Sequence, residues 1–441
     1  MSCKCAVLSL ICTVGLPSAI AQGTPTIPTA AASDAFHEAQ TLCQADGGRL
    51  WRHSLCGPML FVDPQTRAVV ANQPDADGVL RKDGAVYAGT LPQNLNASNT
   101  AIKWLGTEWS EILWPLPEGR SLRDTLMMHE SFHRIQGQLG FGEFQSPDNA
   151  QLDTVEGRID FQLEERALTR ALQAGTDAER REAARDALLF RAERDAQFPQ
   201  AKAEEQELEV NEGLAEYTGV RLGNASAAEQ VEAALNDIAM VENAKTFVRS
   251  FAYATGPAYG LLLDRYAPGW RATVGPEWSP SSALAAALAF QTPPDLQKVV
   301  EARAALYDGA ALRRAEMQRA EKQKVLLAGY RARFVQGPVL TVKLIHMHVQ
   351  FNPQTLQPLG DAGTVYPTMR IADEWGVLEV SDGALLKPDW SAVVLEAPKD
   401  VSGATVSGKG WTLQLKPGWS VVPGARKGDL VLQAEAQGKG K

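Results

Sequence analysis

The chain of 441 residues has no excess of positive charge and no long hydrophobic run beyond its N-terminal segment. Acidic residues outnumber basic ones by 52 to 43, which gives a formal net charge of −9. Since nucleic-acid binding needs basic patches, and no patch rich in aromatic residues is present, we expect no nucleic-acid partner. The absence of a second apolar run predicts no stable membrane insertion once the N-terminal segment is removed. The length allows two or three domains.

The first 21 residues have the composition of a secretory signal. Lys4 provides a positive charge, an apolar run follows over residues 6–15, and a small-x-small cleavage site ends at Ala21. A lipidated N-terminus at Cys12 is disfavoured because large residues precede it, and a membrane anchor is disfavoured because the apolar run is too short. We therefore expect a secreted or periplasmic protein that begins at Gln22.

Cysteine is also scarce. Three of the five cysteines lie in the expected signal, so only Cys43 and Cys56 remain in the mature chain. Two cysteines close together in an exported protein predict one disulfide, which would add about 3 kcal/mol in the chain-entropy description. The alternative, a zinc clip, lacks two further ligands nearby.

The helix- and strand-forming patterns divide the chain into a signal (1–21) and three further parts. Residues 22–117 contain short strand-like runs between turn residues and are expected to be β-rich. Residues 118–330 have helical periodicity nearly throughout, and residues 331–441 return to β-rich segments. The predicted fold class is therefore α+β, with a central helical domain between a β-rich N-terminal region and a C-terminal β-sandwich or barrel-like domain.

Two local patterns in the helical part lead to further predictions. Residues Ser121–Asp124 resemble a capping box that opens a helix. A run of glutamates between Glu204 and Glu209 is expected to form a solvated helix face.

The helix after Ser121 contains the pattern H-E-x-x-H from His129 to His133. Positions i and i+4 share one helix face, so both imidazoles can bind one metal ion. A catalytic zinc site usually has three protein ligands and one position for water. Zinc lowers the pKa of that water toward about 7, and Glu130 can accept its proton as it attacks a carbonyl. The alternative is two ordinary histidines on a helix, but this pattern is rare by chance in a chain with six histidines.

The third zinc ligand is expected from a second segment, Asn211–Tyr217. The extended pattern H-E-x-x-H-x-x-G-x-x-H fails, because Gln136 stands where glycine is required and no histidine follows. A glutamate must serve instead. Glu212 is preferred because Glu216, four residues on, shares its face and can accept a hydrogen bond from a ligand histidine. Glu209 is a less favoured ligand, and a solvated acidic face is the alternative for the whole segment.

The two segments together resemble the gluzincin metallopeptidases, which include the thermolysin-like and aminopeptidase-N-like families. The resemblance covers only two helices. It implies that His129, His133 and Glu212 bind Zn²⁺. It also implies that Glu130 is the catalytic acid/base and that Glu216 orients a histidine. The interval between the two motifs is far longer than in those families. We therefore expect an inserted helical pair (about residues 150–196) that leaves the two motif helices adjacent. The central helical domain would then be of zincin type.

The same resemblance extends to two further features. Tyr253-Ala254-Thr255-Gly256 is similar to the Tyr-x-x-Gly at which aminopeptidase-N-like enzymes place a tyrosine that stabilises the substrate oxyanion. Tyr253 is the candidate and Tyr259 the second choice, with core packing as the alternative. Gluzincins also pair extended peptide with an edge strand near the motif helix, which here would be Glu108–Trp114. The exopeptidase signature G-x-M-E-N is absent.

These features predict a secreted zinc metallopeptidase that acts on peptide or protein substrates. Two alternatives stay open. One is a non-catalytic metal-binding or partner-binding protein on a zincin scaffold, and the other is a zinc amidase that acts on cell-wall material. The intact Glu130 favours an enzyme, because a structural metal site needs no base.

Overall fold

The structure, a computed structural model, describes residues 27–434 apart from 93, 142–143, 146 and 352–354. These residues form a mixed α+β protein, as predicted. The chain divides into two compact units between Arg314 and Ala315, inside a long helix. The expected signal, residues 1–21, lies outside the described residues. Within the described part, no helix has the length and apolar character needed to cross a membrane.

The first unit combines one sheet with a large helical region. Its strands are β1 (Met59–Val62), β2 (Ala68–Ala71), β3 (Arg81–Asp83), β4 (Val86–Thr90), β5 (Thr100–Trp104) and β6 (Thr107–Leu113). Its helices are α1 (Thr29–Asp46), α2 (Arg120–Gln136), α3 (Val155–Gln173), α4 (Asp177–Gln197), α5 (Lys202–Leu208), α6 (Leu214–Gly223), α7 (Ala227–Glu242), α8 (Phe251–Tyr266), α9 (Pro280–Ala287) and α10 (Leu296–Ala304). Helix α11 (Gly309–Arg331) spans the boundary between the units.

The sheet of the first unit has the strand order β3-β4-β2-β1-β6-β5. Strand β6 leads toward the motif helix α2, and it pairs in parallel with β1 on one side and antiparallel with β5 on the other. The expectation that the strand before the motif helix pairs with extended peptide is therefore wrong, because both of its hydrogen-bonding edges are occupied. Strand β5 is the edge strand on that side of the sheet.

Helix α2 starts differently from the prediction. Its N-cap is Gly119, and no side chain caps it. Ser121 lies inside the helix and its hydroxyl donates to Asn224 Oδ1 at 2.6 Å, so the predicted capping box is wrong. The helix is instead stabilised by its apolar face, where Met128 and Phe132 lie four residues apart and are buried in the main core.

The predicted disulfide between Cys43 and Cys56 is confirmed, with the two Cα atoms 5.2 Å apart. It joins the end of α1 to the segment that enters β1. The same segment contacts the motif helix, because Arg134 Nη2 donates to the carbonyl oxygen of Leu55 at 2.9 Å. The disulfide thus fixes a segment against which α2 packs.

The second unit contains two sheets. Their strands are β7 (Val339–Lys343), β8 (His348–Phe351), β9 (Gln357–Pro358), β10 (Thr364–Tyr366), β11 (Met369–Asp373), β12 (Gly376–Val380), β13 (Ala384–Leu386), β14 (Ala392–Glu396), β15 (Thr405–Gly408), β16 (Trp411–Leu415), β17 (Trp419–Pro423) and β18 (Leu430–Ala434). The larger sheet has the order β17-β18-β7-β14-β13-β10-β9, and the smaller one β15-β16-β12-β11-β8. Leu340 and Val393 of the larger sheet share one buried cluster with Ile371 and Leu378 of the smaller sheet.

The helical region of the first unit buries a network of charged side chains. Arg194 Nη2 of α4 lies 2.7 Å from Glu164 Oε2 and 2.8 Å from Glu205 Oε2. Arg191 donates to Glu164 and to both carboxylate oxygens of Glu209. The expectation of a solvated acidic face is therefore wrong for Glu205 and Glu209, because the two arginines of α4 cover them.

We expect Arg194→Met to lower the free energy of unfolding of the first unit by about 3–5 kcal/mol, because Glu164 and Glu205 would remain buried after each had lost one of its two arginine partners. The matched control is Arg181→Met on the same helix. Arg181 makes an exposed ion pair with Asp177, so its loss should cost less than about 1 kcal/mol. Urea denaturation followed by tryptophan fluorescence measures both, and equal effects would contradict a special role for the buried pair.

Stability should also depend on pH through Glu111 of β6. This residue is fully buried, and burial raises its pKa from 4.5 to about 8 although the amide of Ser98 donates to it. The folded state therefore keeps a proton that the unfolded chain releases between these two values. We expect this group to lower the free energy of unfolding by up to about 1.4 kcal/mol per pH unit as the pH rises from 4.5 to 8. Glu111→Gln should flatten that slope in urea denaturation, and an unchanged slope would refute the assignment.

Candidate metal centre

The two motif helices meet at backbone contact distance. A Cβ atom added to Gly219 would lie 2.5 Å from the carbonyl oxygen of Thr125, and one added to Gly223 would lie 2.6 Å from the amide nitrogen of the same residue. The four-residue spacing places both glycines on one face of α6. Only glycine allows this crossing of α6 over α2, which brings Glu216 next to His129.

The segment that carries Glu212 is not a regular α-helix. Helix α5 ends at Leu208, and Glu209–Gly213 form a π-helical turn before α6 begins. Such turns insert one extra residue and are frequent at functional sites. Gly213 in turn touches Gly256 of α8, where an added Cβ would lie 2.2 Å from the Gly213 carbonyl oxygen. This contact places Tyr253 beside Glu212.

Three potential ligand atoms converge between these helices. His129 Nε2 lies 3.0 Å from His133 Nε2, and Glu212 Oε2 lies 3.5 Å from the first nitrogen and 3.4 Å from the second. Zinc bonds of about 2.0–2.1 Å put neighbouring ligand atoms of a tetrahedron about 3.3 Å apart. The three atoms therefore fit one zinc ion without rearrangement of the helices that carry them.

Each neighbour of His129 helps to orient its ring. Glu216 Oε2 lies 2.7 Å from His129 Nδ1, so the Nδ1–H donates to this carboxylate and Nε2 is left as the ligand atom. The ring of Tyr253 stacks on the imidazole with a centroid distance of 5.6 Å. The Tyr253 hydroxyl donates to Glu212 Oε2 at 2.7 Å, so this candidate oxyanion donor also contacts a potential metal ligand.

His133 is oriented by a chain of hydrogen-bonded carboxamide side chains that connects it to Glu212. Gln136 Oε1 lies 2.9 Å from His133 Nδ1, and since this oxygen can only accept, the Nδ1–H donates. Gln136 Nε2 donates to Asn211 Oδ1 at 3.0 Å, and Asn211 Nδ2 donates to Glu212 Oε1 at 3.0 Å. Neither motif assigns a role to Gln136, although its i, i+3 spacing from His133 is a signal for such a contact.

Glu130 is the remaining acid at the centre. One carboxylate oxygen lies within 4.8 Å of the histidine ligand atoms. Its Oε2 is buried and has no hydrogen-bond partner in the described part of the chain. Burial raises the pKa of Glu130 to about 7, against the opposing effect of the two histidines. Glu212 fits the position of a third ligand better, because its Oε2 lies 3.4–3.5 Å from both nitrogens, and Glu130 is the carboxylate beside them.

The electrostatics of the centre favour a bound cation. Burial alone would lower the pKa of His129, but hydrogen bonds to Glu212 and Glu216 outweigh it and raise that pKa well above its usual value. Burial would raise the pKa of Glu212, yet the charges and hydrogen bonds of the two histidines hold it well below the usual value. The carboxylates therefore stabilise positive charge at the imidazoles, and they would stabilise a divalent cation in the same way.

A cavity of about 390 Å³ opens beside these residues. His129, Glu130, Glu216 and Tyr253 form part of its wall. The base and the candidate oxyanion donor thus line the same space, which is large enough for a ligand.

Two other candidates lie elsewhere. Tyr259, the second choice as oxyanion donor, is buried and donates to Glu164 Oε1 at 2.6 Å within the charged network of α4. That assignment is wrong, because its hydroxyl is directed away from the histidines. Glu209, the less favoured ligand, accepts from Arg191 and from Thr255 in the same network.

No protein-family model matches the chain, and no curated protein or solved structure matches it. The likeness to gluzincins therefore rests on the two motifs, and the function has to be argued from the geometry of the centre.

The carboxamide chain yields a prediction for metal affinity. We expect Gln136→Ala to weaken zinc binding about 10- to 100-fold, because His133 loses the partner that fixes its orientation. Gln138→Ala, on an exposed residue two positions later, is the matched control and should leave the affinity unchanged. Competition with a zinc-binding fluorophore measures both affinities. Wild-type affinity in the Gln136 variant would show that the chain does not support the ligand.

Proposed function

We propose that the protein is an exported zinc-dependent hydrolase of gluzincin type that cleaves peptide bonds in peptide or protein substrates. The observation that carries this proposal is the triangle of His129 Nε2, His133 Nε2 and Glu212 Oε2, with sides of 3.0–3.5 Å. Two imidazoles and one glutamate are a donor set of catalytic zinc sites. The buried carboxylate of Glu130 faces the cavity beside them.

Different residues of this chain supply the separate steps of peptide hydrolysis. When bound, zinc supplies a Lewis acid that polarises the scissile carbonyl and makes a water molecule more acidic. Glu130 accepts a proton from the attacking water, whose oxygen forms the new bond to the carbonyl carbon. It then gives the proton to the amine nitrogen as the C–N bond breaks. Because Glu130 Oε2 has no other partner among the described residues, it is free for this transfer.

Tyr253 is the proposed donor to the negative charge that develops on the carbonyl oxygen. Tyr253 lines the same cavity as Glu130. Its ring stacks on His129, and its hydroxyl would exchange the hydrogen bond to Glu212 for one to the substrate oxygen. A preorganised donor of this kind stabilises the transition state more than the ground state. Glu216 and Gln136 hold the two imidazoles in the required tautomer.

Glu130 also supports an enzyme over a non-catalytic metal-binding protein. A buried carboxylate oxygen without a partner costs free energy, and a structural zinc site has no use for it. The open cavity beside the centre supports the same choice, since structural zinc sites are closed by four protein ligands. A zinc amidase of cell-wall material would use the same chemistry, so only substrates distinguish it from a peptidase.

Export is proposed from two features of the chain. The disulfide between Cys43 and Cys56 suits an oxidising compartment, and the N-terminal 21 residues have the pattern of a secretory signal. In this proposal the catalytic zincin-like domain is the helical part, 118–330. A β-rich region precedes it and a β-sandwich-like domain follows it.

The proposal predicts different defects for its two central glutamates. Glu130→Gln should keep stoichiometric zinc but lower kcat about 10²- to 10⁴-fold, because the base is lost. Glu212→Ala should lose zinc affinity itself, because one of three ligands is gone. Glu156→Gln, on an exposed residue of α3, is the matched control and should change neither. Metal analysis and turnover of a mixed peptide library, with and without chelator, measure these effects.

Several outcomes would overturn the proposal. Wild-type protein without stoichiometric zinc would refute the ligand set, and retention of iron would point to the oxygen chemistry that two histidines and a carboxylate can also support. Hydrolysis of cell-wall fragments but not of any peptide would replace the peptidase by the amidase. Normal turnover in the Glu130 variant would remove the proposed base.

A further inference from the structure

The cavity beside the metal centre is apolar over most of its wall. The apolar side chains come from β6 and the segment after it, from α2 and from α7, and they are Leu113, Leu116, Leu122, Leu126, Met240 and Val241. Leu122 and Met240 are about half exposed, at 51% and 47%, so the apolar surface continues to the mouth of the cavity. A wall of this kind favours the aliphatic or aromatic part of a ligand.

Asp237 of α7 is the exception in this wall. It lies in the buried stripe of the helix with Ala234 and Val241, where the spacing calls for an apolar residue. Its side chain lines the cavity and is only 4% exposed. In the described part of the chain, Asp237 Oδ2 has no hydrogen-bond partner. A buried carboxylate oxygen in an apolar wall is costly unless something pairs with it.

His129 is the cation that partly opposes the charge of this acid, but His129 is itself paired with Glu216. The described residues that line the cavity include no lysine and no arginine. Burial raises the pKa of Asp237 well above its usual range, and the nearby charge of Glu216 raises it further. Glu216 itself is paired with His129, so it offers Asp237 repulsion rather than a partner. Burial alone therefore favours the protonated form of Asp237, and a cation that enters the cavity from outside would stabilise the ionised form.

We propose that this cavity is a substrate pocket for an ammonium group on an aliphatic stem, with the ammonium bound by Asp237. The inference rests on the proposed peptidase function and specifies the substrate class. A lysine side chain has four methylene groups for the apolar wall and three N–H donors at its end. The free amino terminus of a substrate is the second source of the same cation.

The test uses the zinc-loaded full chain and a panel of internally quenched peptides. In N-acetylated peptides, one position at a time on each side of the scissile bond is lysine, norleucine or Nε-acetyl-lysine. Norleucine keeps the stem without the ammonium, and acetyl-lysine keeps the length without the charge. We expect kcat/KM for lysine to exceed that for norleucine by about tenfold or more at one position, because Asp237 pairs only with the former.

Asp237→Asn removes the charge at nearly constant shape, so it should bring the ratio for lysine over norleucine to within about twofold of one. The matched control is Asp295→Asn, which removes one negative charge from an exposed residue outside the cavity and should keep the wild-type ratio. Circular dichroism and zinc content report whether each variant folds. If the Asp237 variant does not fold, a wild-type preference for lysine over acetyl-lysine supports the pocket, and equal cleavage of the two overturns it.

Peptides without lysine, with free or acetylated amino termini, separate the two sources of the cation. A preference for the free terminus that Asp237→Asn abolishes assigns the pocket to the amino terminus. Equal cleavage of lysine, norleucine and acetyl-lysine peptides, whether blocked or free, would overturn the pocket and leave the peptidase intact. Failure of the zinc-loaded protein to cleave any peptide would overturn both.

Discussion

The metal centre depends on helix backbones that touch with no side chain between them. Gly219 and Gly223 bring α6 onto α2 at Thr125, and Gly213 brings the π-helical turn onto α8 at Gly256. A methyl group at Gly219, Gly223 or Gly256 would overlap backbone atoms and force the helices apart, and one at Gly213 would lie only 3.2 Å from the backbone of α8. Because packed interiors have little free volume, such a shift would move Glu216 and Glu212 away from the histidines. Close packing of glycine thus determines whether the ligand atoms can converge.

The charged network behind the centre holds the π-helical turn in place. Arg191 binds Glu209 at the start of this turn, and Thr255 of α8 donates to the same carboxylate at 2.9 Å. Glu212 lies three residues further along the turn, and Tyr253 lies two residues before Thr255. The helical pair α3 and α4, which separates the two motifs in the sequence, therefore contributes directly to the site. It supplies the arginines that neutralise the acids beneath the ligands.

Local sequence patterns predicted what depends on local geometry. The i, i+4 spacing places His129 and His133 on one face of any helix, and two neighbouring cysteines in an exported chain predict their own pairing. The predictions that were wrong depended on which other segments pack against the segment in question. The acids near Glu205 were predicted to form a solvated face, but α4 covers Glu205 and Glu209. The resemblance to gluzincins implied an edge strand where β6 lies, but β5 pairs with it. The residues that a segment meets in the fold are not encoded in that segment.

The sequence by itself determined that His129 and His133 share one helix face, and it predicted the third ligand and the base, because these follow from residue type and helix periodicity. Only the tertiary structure decided that Glu212 approaches both histidines to 3.4–3.5 Å, and that Gln136 and Asn211 connect His133 to the same carboxylate. Only the tertiary structure also placed Asp237 in the wall of the cavity. These contacts join residues far apart in the chain, and their distances are set by helix packing, which no single segment specifies.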